Sequence, residues 1–417
     1  MSILIKKCEL NGREVDVFIK DGRFERIGKE LDVEAEKVID GKDKAILPSF
    51  FNVHTHAAMT LLRGYADDME LHKWLREYIW PFERKLTPED VYWGTKLACL
   101  EMIKTGTTFF CDMYWHVKAV ADAVEEMGIR AALSSAYVDF DDPKKGDFFK
   151  KKNIEFFDNL PHVSDRIKFI MGPHAIYTVS KDSLEWIKDF ASERNLLINI
   201  HLAETKKERD DCLKIRGTTP VRYLDDIGFL NERCICAHVI WVEDEEIEIL
   251  QKRKVNVAHV PASNMKLCSG NFRFDDMLNK GVLVGIGTDG CASNNNLDMF
   301  EEIKIAALRA KLATSNPQAA KSEDIYRCAT KNGAMMFGID AGEIKEGMLA
   351  DCILVDLNHP QLVPCHNLIS NIVYAANGDC VVTTICNGKI VMEDRYVKGE
   401  EEIIRQAKKQ VQDILNR

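Results

Sequence analysis

The middle of the chain alternates short apolar runs with segments of helical periodicity, and this alternation constrains the fold more than any other feature. Strands that alternate with helices indicate βαβ units and a parallel sheet. Eight such units over about 300 residues predict a (β/α)8 TIM-type barrel rather than an open sheet. The predicted strands are residues 47–53, 107–111, 130–138, 167–172, 196–200, 234–237, 256–258 and 282–288.

Both ends of the chain have the pattern of short β-strands, unlike the alternating strands and helices of the middle. Residues 1–45 read as short strands joined by turns, and strand-like runs return at residues 351–357 and 381–386, followed by the hairpin signal Asn387-Gly388. The two ends are therefore predicted to build one small β-sandwich domain together. We expect residues 1–48 and 346–417 to form this domain, with a C-terminal helix, and residues 49–345 to form the barrel.

The net charge and the cysteine content indicate which binding partners and which cellular compartment to expect. A formal net charge of -10 argues against nucleic acid or an anionic membrane surface as a partner. The 13 cysteines include no C-x-x-C pair, and the sequence has neither the apolar core of a signal peptide nor a run long enough to span a membrane. These features predict a cytoplasmic protein with reduced thiols.

Polar residues end most of the predicted barrel strands. In a barrel, the carboxyl ends of the strands meet at one face, where active sites lie. A single histidine or aspartate at a strand end is more often a core or capping residue, but so many at one face predict a functional site. The residues are His54 and His56 (first strand), His174 (fourth), His201 (fifth), His238 (sixth), His259 (seventh) and Asp289 (eighth).

Four of these residues have the chemistry of a metal site. His54, His56, His201 and Asp289 offer three nitrogens and one oxygen, a set that suits zinc and also iron. A catalytic metal keeps one position open for water and lowers the pKa of that water to about 7. No lysine ends the fourth strand, so a carbamylated lysine bridging two metals is not expected, and one metal is predicted.

Three side chains at or just after the strand ends can take part in the reaction of the metal-bound water. The Asp289 carboxylate can orient the water and accept its proton. Glu204, three residues after His201, can act as a second acid or base without binding the metal. His238 can hydrogen-bond the attacking hydroxide or stabilise an oxyanion-like intermediate. No role is forced upon His259.

The motifs around these residues resemble those of the amidohydrolase superfamily. More narrowly, the sequence is similar to the group of S-adenosylhomocysteine, methylthioadenosine and 5'-deoxyadenosine deaminases. The resemblance spans essentially the whole chain. It rests on P-S-F-F-N-V-H-T-H at residues 48–56, L-R-G at 62–64, W-P-F-E at 80–83, G-P-H at 172–174, H-L-A-E at 201–204, A-H at 237–238 and G-T-D-G at 287–290.

The resemblance implies a role for each matching residue. His54, His56, His201 and Asp289 match the metal ligands, Glu204 the glutamate that passes a proton to the ring, and His238 the histidine beside the metal-bound water. Glu83 matches a position that contacts the ribose hydroxyls, and His174 one that contacts the nucleoside. The implied reaction is hydrolytic deamination at C6 of adenine nucleosides with modified 5' groups, giving an inosine-type product and ammonia.

The resemblance also implies one divalent metal per subunit and a homo-oligomer, either a dimer or a tetramer. Zn²⁺ is the expected metal, and Fe²⁺, Mn²⁺ and Ni²⁺ also suit the ligands. No arginine lies between Arg130 and Arg166, where relatives that favour a charged homocysteine tail are expected to carry basic residues. This departure favours uncharged 5' groups, unless loops of a neighbouring subunit supply the charge.

Two alternatives stay open from the sequence. One is another hydrolase of the superfamily, such as a guanine deaminase or a triazine hydrolase, for which a ribose-binding Glu83 would have no use. The other is a non-catalytic barrel whose metal is structural. Structural zinc sites are usually closed and rich in cysteine, which this set of ligands is not.

Overall fold

The computed structural model describes residues 1–417, as 17 strands and 16 α-helices. The strands are β1 Ser2–Leu10, β2 Arg13–Lys20, β3 Arg23–Gly28, β4 Lys37–Asp40, β5 Lys44–Pro48, β6 Phe50–Thr55, β7 Thr107–Tyr114, β8 Arg130–Tyr137, β9 Ile167–Phe169, β10 Gly172–Pro173, β11 Ile198–Leu202, β12 Cys234–His238, β13 Asn256–His259, β14 Leu283–Ile286, β15 Cys352–Asp356, β16 Val381–Cys386 and β17 Lys389–Met392. The α-helices are α1 Leu71–Trp74, α2 Trp80–Glu83, α3 Pro88–Lys104, α4 Val117–Met127, α5 Pro143–Asp158, α6 Lys181–Glu193, α7 Lys206–Arg216, α8 Pro220–Asp226, α9 Asp244–Lys252, α10 Pro261–Lys266, α11 Phe274–Asn279, α12 Met299–Thr314, α13 Ser322–Ala329, α14 Lys331–Met336, α15 Leu368–Tyr374 and α16 Glu400–Asn416. A π-helical turn, Leu75–Ile79, joins α1 to α2.

The central strands form a curled parallel sheet in two parts. β6, β7, β8, β9 and β10 pair in one part, and β11 to β14 pair in chain order in the other. Backbone hydrogen bonds join the parts at both edges: the His201 N–H donates to the His174 carbonyl at 3.0 Å, and the Asp289 N–H donates to the His54 carbonyl at 3.0 Å. The predicted α/β barrel is thereby confirmed, with β9 and β10 as two halves of its fourth strand.

Burial explains why the barrel strands read as continuous apolar runs. Every residue of β7, β12 and β13 is buried, because helices cover the outside of the sheet and side chains fill its inside. The outer helices begin at recognisable caps. Thr87 and Asp90 form a capping box at the start of α3, and Ser180 caps α6.

The two chain ends share one eight-stranded sheet. β17, β16, β15, β5, β1, β2 and β3 follow one another across it, and β4 pairs with β1. β15 lies antiparallel to β5, with Cys352 opposite Pro48, so the C-terminal segment pairs directly with the N-terminal one. The joint β unit expected from the sequence is present as this sheet, whereas its description as a sandwich stays a prediction.

Three differences between the observed and the predicted strand bounds bear on the site. The run at residues 47–53 is divided at Ser49: β5 belongs to the terminal sheet and β6 to the barrel. β11 begins at Ile198 and includes His201, which was expected to follow the strand. β14 ends at Ile286, so Asp289 lies three residues beyond it in a loop. Hydrophobicity alone does not locate these ends, because hydrogen-bond pairing decides them.

All 13 cysteines are free, and only Cys268 and Cys365 are exposed. Burial raises the pKa of the buried thiols above the usual value, as at Cys111 and Cys236, where the pKa lies well above it. These thiols are therefore neutral in the folded protein. No helix of the chain is long and apolar enough to cross a membrane.

Candidate active site and metal centre

Four side chains converge at the carboxyl ends of the barrel strands. One ligand atom from each of His54, His56, His201 and Asp289 lies within 4.8 Å of the others. His56 Nε2 is 3.2 Å from Asp289 Oδ1, His54 Nε2 is 3.6 Å from the same oxygen, and His56 Nε2 is 3.3 Å from His201 Nε2. The fold thus brings together the residues predicted as metal ligands.

These distances can be compared with what a metal requires. Zinc–nitrogen and zinc–oxygen distances of about 2.0–2.2 Å place neighbouring ligand atoms of a tetrahedron roughly 3.3–3.6 Å apart. The three separations fall in or at the edge of that range. The buried His54 Nε2 has no hydrogen-bond partner, and the Nε2 atoms of His56 and His201 lie 3.3 Å apart, a spacing that suits two ligands of one cation. The donor set therefore fits a divalent metal.

The other ring nitrogens are held by the surrounding chain. His56 Nδ1 lies 2.7 Å from the Met113 carbonyl oxygen, and His201 Nδ1 lies 2.7 Å from the His174 carbonyl oxygen. A carbonyl can only accept, so each Nδ1 carries the proton and each Nε2 presents its lone pair to the cluster. This is the usual arrangement of the outer partners of metal-binding histidines. The amide of Asn199 lies 3.4 Å from His54 Nδ1.

Asp289 reaches the histidines because β14 approaches β6 very closely. A Cβ atom at Gly287 would lie 2.7 Å from the His54 carbonyl oxygen, so only glycine allows this approach. Asp289 itself has a left-handed backbone, with φ of 60°. Its second oxygen, Oδ2, accepts hydrogen bonds from Ser263 at 2.6 Å and Ser293 at 2.9 Å. These bonds leave Oδ1 facing the histidines.

The cluster is strongly coupled electrostatically. Burial opposes charge on Asp289, but the histidines His54 and His56 hold its pKa well below the usual value. Burial also disfavours the charged form of His56, but Asp289 raises its pKa to about 9, whereas burial lowers the pKa of His54 to about 4. A metal bound here would compete with the proton on His56, since a ligating imidazole is unprotonated.

Glu204 differs from Asp289 in its protonation. Burial and, to a smaller extent, the negative charge of Asp289 raise the pKa of Glu204 to about 8. Glu208 holds the backbone of this segment, because its carboxylate accepts the N–H groups of Ala203 at 2.9 Å and Glu204 at 2.8 Å. One carboxyl group near the cluster therefore keeps its proton at neutral pH while the other is ionised.

His238 lies beside both the metal ligands and Glu204. Its Nε2 is 3.8 Å from Glu204 Oε2, too far for a hydrogen bond, and its ring stacks on that of His201 with centroids 5.5 Å apart. Its Nδ1 lies 2.9 Å from Asn264 Oδ1. Burial lowers the pKa of His238, so the ring is neutral near pH 7.

The cluster opens into a cavity of about 550 Å³. Fifteen of its 26 lining residues are hydrophobic, which is typical of a small-molecule site that has a few placed polar groups. The cavity connects the predicted catalytic and substrate-binding residues to one another. His56, Glu83, His174, His201, Glu204, His238 and Asp289 all line it.

Glu204 and Asp289 were predicted to contact the substrate, as were Glu83 and His174, and these last two lie on different segments of the chain. Glu83 ends α2 and is half-buried, and burial raises its pKa while Trp115 and Tyr114 partly oppose the shift. The nearby Tyr114 hydroxyl is buried without a hydrogen-bond partner. His174 follows β10, and its Nδ1 lies 2.9 Å from Thr178 Oγ1. Burial lowers the pKa of His174 to about 3, which makes it a neutral group.

Several lining residues were not predicted from the sequence. Arg84, Lys152 and His116 also line the cavity, and both Arg84 and Lys152 are exposed. His116 occupies the N-cap position of α4. Ser263 and Asn264, which contact Asp289 and His238, lie in α10 a few residues after the seventh strand, and this position was the available signal. Lys152 lies on α5, and nothing in its sequence context marks it.

Comparisons with known proteins agree with this geometry. The chain is 48% identical over 399 residues to a 5-methylthioadenosine/S-adenosylhomocysteine deaminase of Thermococcus sibiricus, covering 94% of each chain. It is 47% identical to a 5'-deoxyadenosine deaminase of Methanospirillum hungatei, covering 92% of this chain and 86% of the relative. Among solved structures, a zinc-bound adenosine deaminase of Xanthomonas campestris superposes with a TM-score of 0.92 at 30% identity, covering 100% of this chain and 98% of that one.

The family match extends over most of the chain and includes every residue assigned to the site. It covers residues 45–391, from β5 to β17. This match, together with the relatives above, confirms the resemblance inferred from the motifs. The chain belongs to the amidohydrolase family.

Proposed function

We propose that this protein deaminates adenine nucleosides with modified 5' groups by hydrolysis at C6, with one divalent metal, zinc, per subunit. One observation carries the proposal: Glu204 and Asp289 line one cavity beside a metal-type cluster, and their surroundings push their pKa values in opposite directions. Pairs of this kind divide the roles of acid and base. The deaminases at 47–48% identity support the same chemistry.

The metal and the base Asp289 both act on the attacking water. A divalent metal held by His54, His56, His201 and Asp289 would supply a water whose pKa lies near 7. Asp289 Oδ1 then takes the proton of the attacking water, while Oδ2 stays bound to two serine hydroxyls. Because both serines donate to the same oxygen, the carboxylate cannot rotate away as it gains the proton.

The proton donor lies on the other side. Glu204 keeps its proton at neutral pH, and it delivers that proton to the ring nitrogen next to C6. His238 Nε2 faces the same space and contacts the atoms attached to C6 during the attack. Asp289 then gives the proton it accepted to the departing amino group, which leaves as ammonia, and the C6 hydroxyl becomes a carbonyl as its proton returns to Glu204.

Glu83 separates this proposal from its alternatives. A half-buried carboxylate in the cavity wall can accept hydrogen bonds from both hydroxyl groups of a ribose, while a free guanine or a triazine has no ribose hydroxyl to donate. Desolvating this carboxylate is costly unless a substrate donates to it. This cost supports a nucleoside rather than a free base as the substrate.

The walls around Glu83 bear on the choice of 5' group. Trp74, Trp80 and Phe140 provide aromatic surface, which suits the uncharged 5' groups of 5'-deoxyadenosine and methylthioadenosine. Arg84 and Lys152 also line the cavity and take part in no ion pair. We infer that uncharged 5' groups are preferred and that these two cations admit the carboxylate of S-adenosylhomocysteine at lower efficiency.

The test is ammonia release from a panel of compounds, with and without a chelator. The panel contains 5'-deoxyadenosine, methylthioadenosine, S-adenosylhomocysteine, adenosine, adenine and guanine. The proposal expects turnover of the nucleosides, loss of turnover after chelation and recovery with Zn²⁺. Glu204→Gln should be inactive, and its matched control, the exposed Glu193→Gln, should be as active as the wild type. Failure of the zinc-loaded protein on every nucleoside would refute the proposal.

We also propose the organisation that goes with this activity. The division into residues 1–48, 49–345 and 346–417 is supported by the break at Ser49 between β5 and β6, and a β-sandwich by the separate apolar cluster of the terminal sheet. Thirteen free cysteines support a cytoplasmic location, and the net charge of -10 supports the absence of nucleic-acid partners. A homo-oligomer stays a prediction, to be tested by light scattering.

A further inference from the structure

The helix α10 presents two neighbouring side chains to two different groups of the site. Ser263 donates to Asp289 Oδ2 at 2.6 Å, and Asn264 lies 2.9 Å from His238 Nδ1. The first turn of the helix is held by a hydrogen bond from the Ala262 N–H to the buried Glu302 carboxyl group at 3.1 Å. Loop closure also involves Asn264, whose carbonyl accepts the Ser269 N–H at 2.9 Å. The backbone that carries Asn264 is therefore held in place.

His238 sits on an unusual stretch of backbone. It ends β12 with φ of 72°, and the next residue, Val239, has φ of 50°. Residues with side chains rarely adopt this left-handed conformation, and it persists only where the surroundings enforce it. Here the Val239 N–H donates to the Leu202 carbonyl at 2.9 Å, and the Ile240 N–H to the Ala203 carbonyl at 3.0 Å. On this backbone the His238 ring lies beside Glu204, with its Nε2 3.8 Å from Glu204 Oε2.

We propose that Asn264 is a positioning residue that holds His238 in the tautomer with its proton on Nδ1. In this tautomer the lone pair of Nε2 faces the reacting atoms and Glu204. Since Asn264 Oδ1 can only accept, this hydrogen bond persists whether His238 is neutral or gains a proton at Nε2. The opposite amide orientation would place Nδ2 against Nδ1 and would be lost on protonation. The proposal rests on the proposed deamination, in which His238 contacts the group attached to C6.

The Asn264–His238 contact is sheltered from water. Asn264 is 3% and His238 1% exposed, so water cannot readily replace the amide oxygen. The Asn264 Nδ2 group has no hydrogen-bond partner, so His238 is the main polar partner of this side chain. The buried Asn264 amide therefore orients the His238 ring and does not belong to a wider hydrogen-bond network.

Three variants test the role of the acceptor. Asn264→Leu removes it, and Asn264→Asp keeps it in a stronger form. The matched control is Asn256→Leu, because Asn256 is also a buried, hydrogen-bonded asparagine but lies at the opposite end of β13, away from the site. We expect kcat to fall about 10- to 1000-fold in Asn264→Leu with KM nearly unchanged. Asn264→Asp should recover most of kcat, and Asn256→Leu should keep it.

A second measurement reads the tautomer directly. Ring-nitrogen NMR of zinc-loaded protein labelled with ¹⁵N-histidine should show His238 protonated at Nδ1, with the signal assigned by its loss in His238→Asn. A wild-type His238 with its proton on Nε2 and none on Nδ1 overturns the proposal, as does a kcat of Asn264→Leu equal to that of the wild type. A wild type that releases no ammonia from any nucleoside would instead refute the proposed function, and the NMR result would still decide the tautomer.

Discussion

The barrel and the terminal sheet are joined by a buried ion pair whose removal has a calculable effect. Arg130, at the start of β8, donates to Asp351 at 2.6 and 3.3 Å, and to the Asn387 side-chain oxygen at 2.8 Å. The side chains of Arg130 and Asp351 are 6% and 0% exposed. Arg130→Met leaves the Asp351 charge buried without its partner, which typically costs about 3–5 kcal/mol.

This loss converts into a shift of the melting temperature. An unfolding entropy of about 2.1 cal/mol/K per residue gives about 0.9 kcal/mol/K for the 417 residues, if the chain unfolds as one unit. We therefore expect Arg130→Met to lower Tm by about 3–6 °C, measured by calorimetry at a fixed zinc concentration because bound metal also raises Tm. A separate early transition would mean that the terminal sheet unfolds alone.

Two further variants decide whether the ion pair is the cause. The double variant Arg130→Met with Asp351→Leu removes both charges, so it should recover part of the lost stability. Arg222→Met is the control, because this exposed arginine lies 3.9 Å from Glu245 and such surface pairs contribute under about 1 kcal/mol. The reasoning is refuted if Arg130→Met melts within 1 °C of Arg222→Met, a margin of about 1 kcal/mol by the same conversion.

Four predictions concern the site. Glu204→Gln should lower kcat about 10²- to 10⁴-fold at unchanged zinc content. Since burial raises the pKa of Glu204 to about 8, the wild-type kcat should fall as pH rises through 8. A rate that still rises beyond pH 9 would contradict the role of Glu204 as the acid. Atomic emission should find about one zinc per wild-type chain and none in His54→Gln, and retention of one zinc by the variant would exclude His54 as a ligand. Glu83→Ala should raise KM for nucleosides at least about tenfold, as expected for a lost charged hydrogen bond, and unchanged nucleoside kinetics would count against ribose binding. Lys152→Met should lower kcat/KM for S-adenosylhomocysteine about two- to fivefold and leave methylthioadenosine unaffected; equal effects on both would remove Lys152 from the 5' subsite.

Much of the fold could be predicted because the barrel strands are covered on both faces. A strand such as β12 is apolar at nearly every position, and the first polar residue, His238, then marks its end. Residues at strand ends converge on one face of a barrel whatever the details of the helices. The predicted metal cluster followed from this rule alone, without any distance.

What could not be predicted depends on contacts between distant segments. Lys152 lines the cavity beside residues that are far from it in the sequence, such as Trp80 and His174, and sequence periodicity does not specify that approach. The raised pKa of Glu204 requires complete burial next to Asp289, which no local pattern records. The division of residues 47–53 into two strands was missed for the same reason, since β5 pairs with β15, some 300 residues away.

The cysteines bear on the order in which the protein folds and takes up its metal. In the folded chain the buried thiols, such as Cys111 and Cys236, are neutral and therefore poor ligands. In the unfolded chain all 13 thiols are accessible and compete with the histidine site for zinc, which stabilises the unfolded state. Folding that precedes metal uptake avoids this competition. Burial of the thiols would thus free the histidine cluster from their competition for a divalent metal only after the barrel has closed.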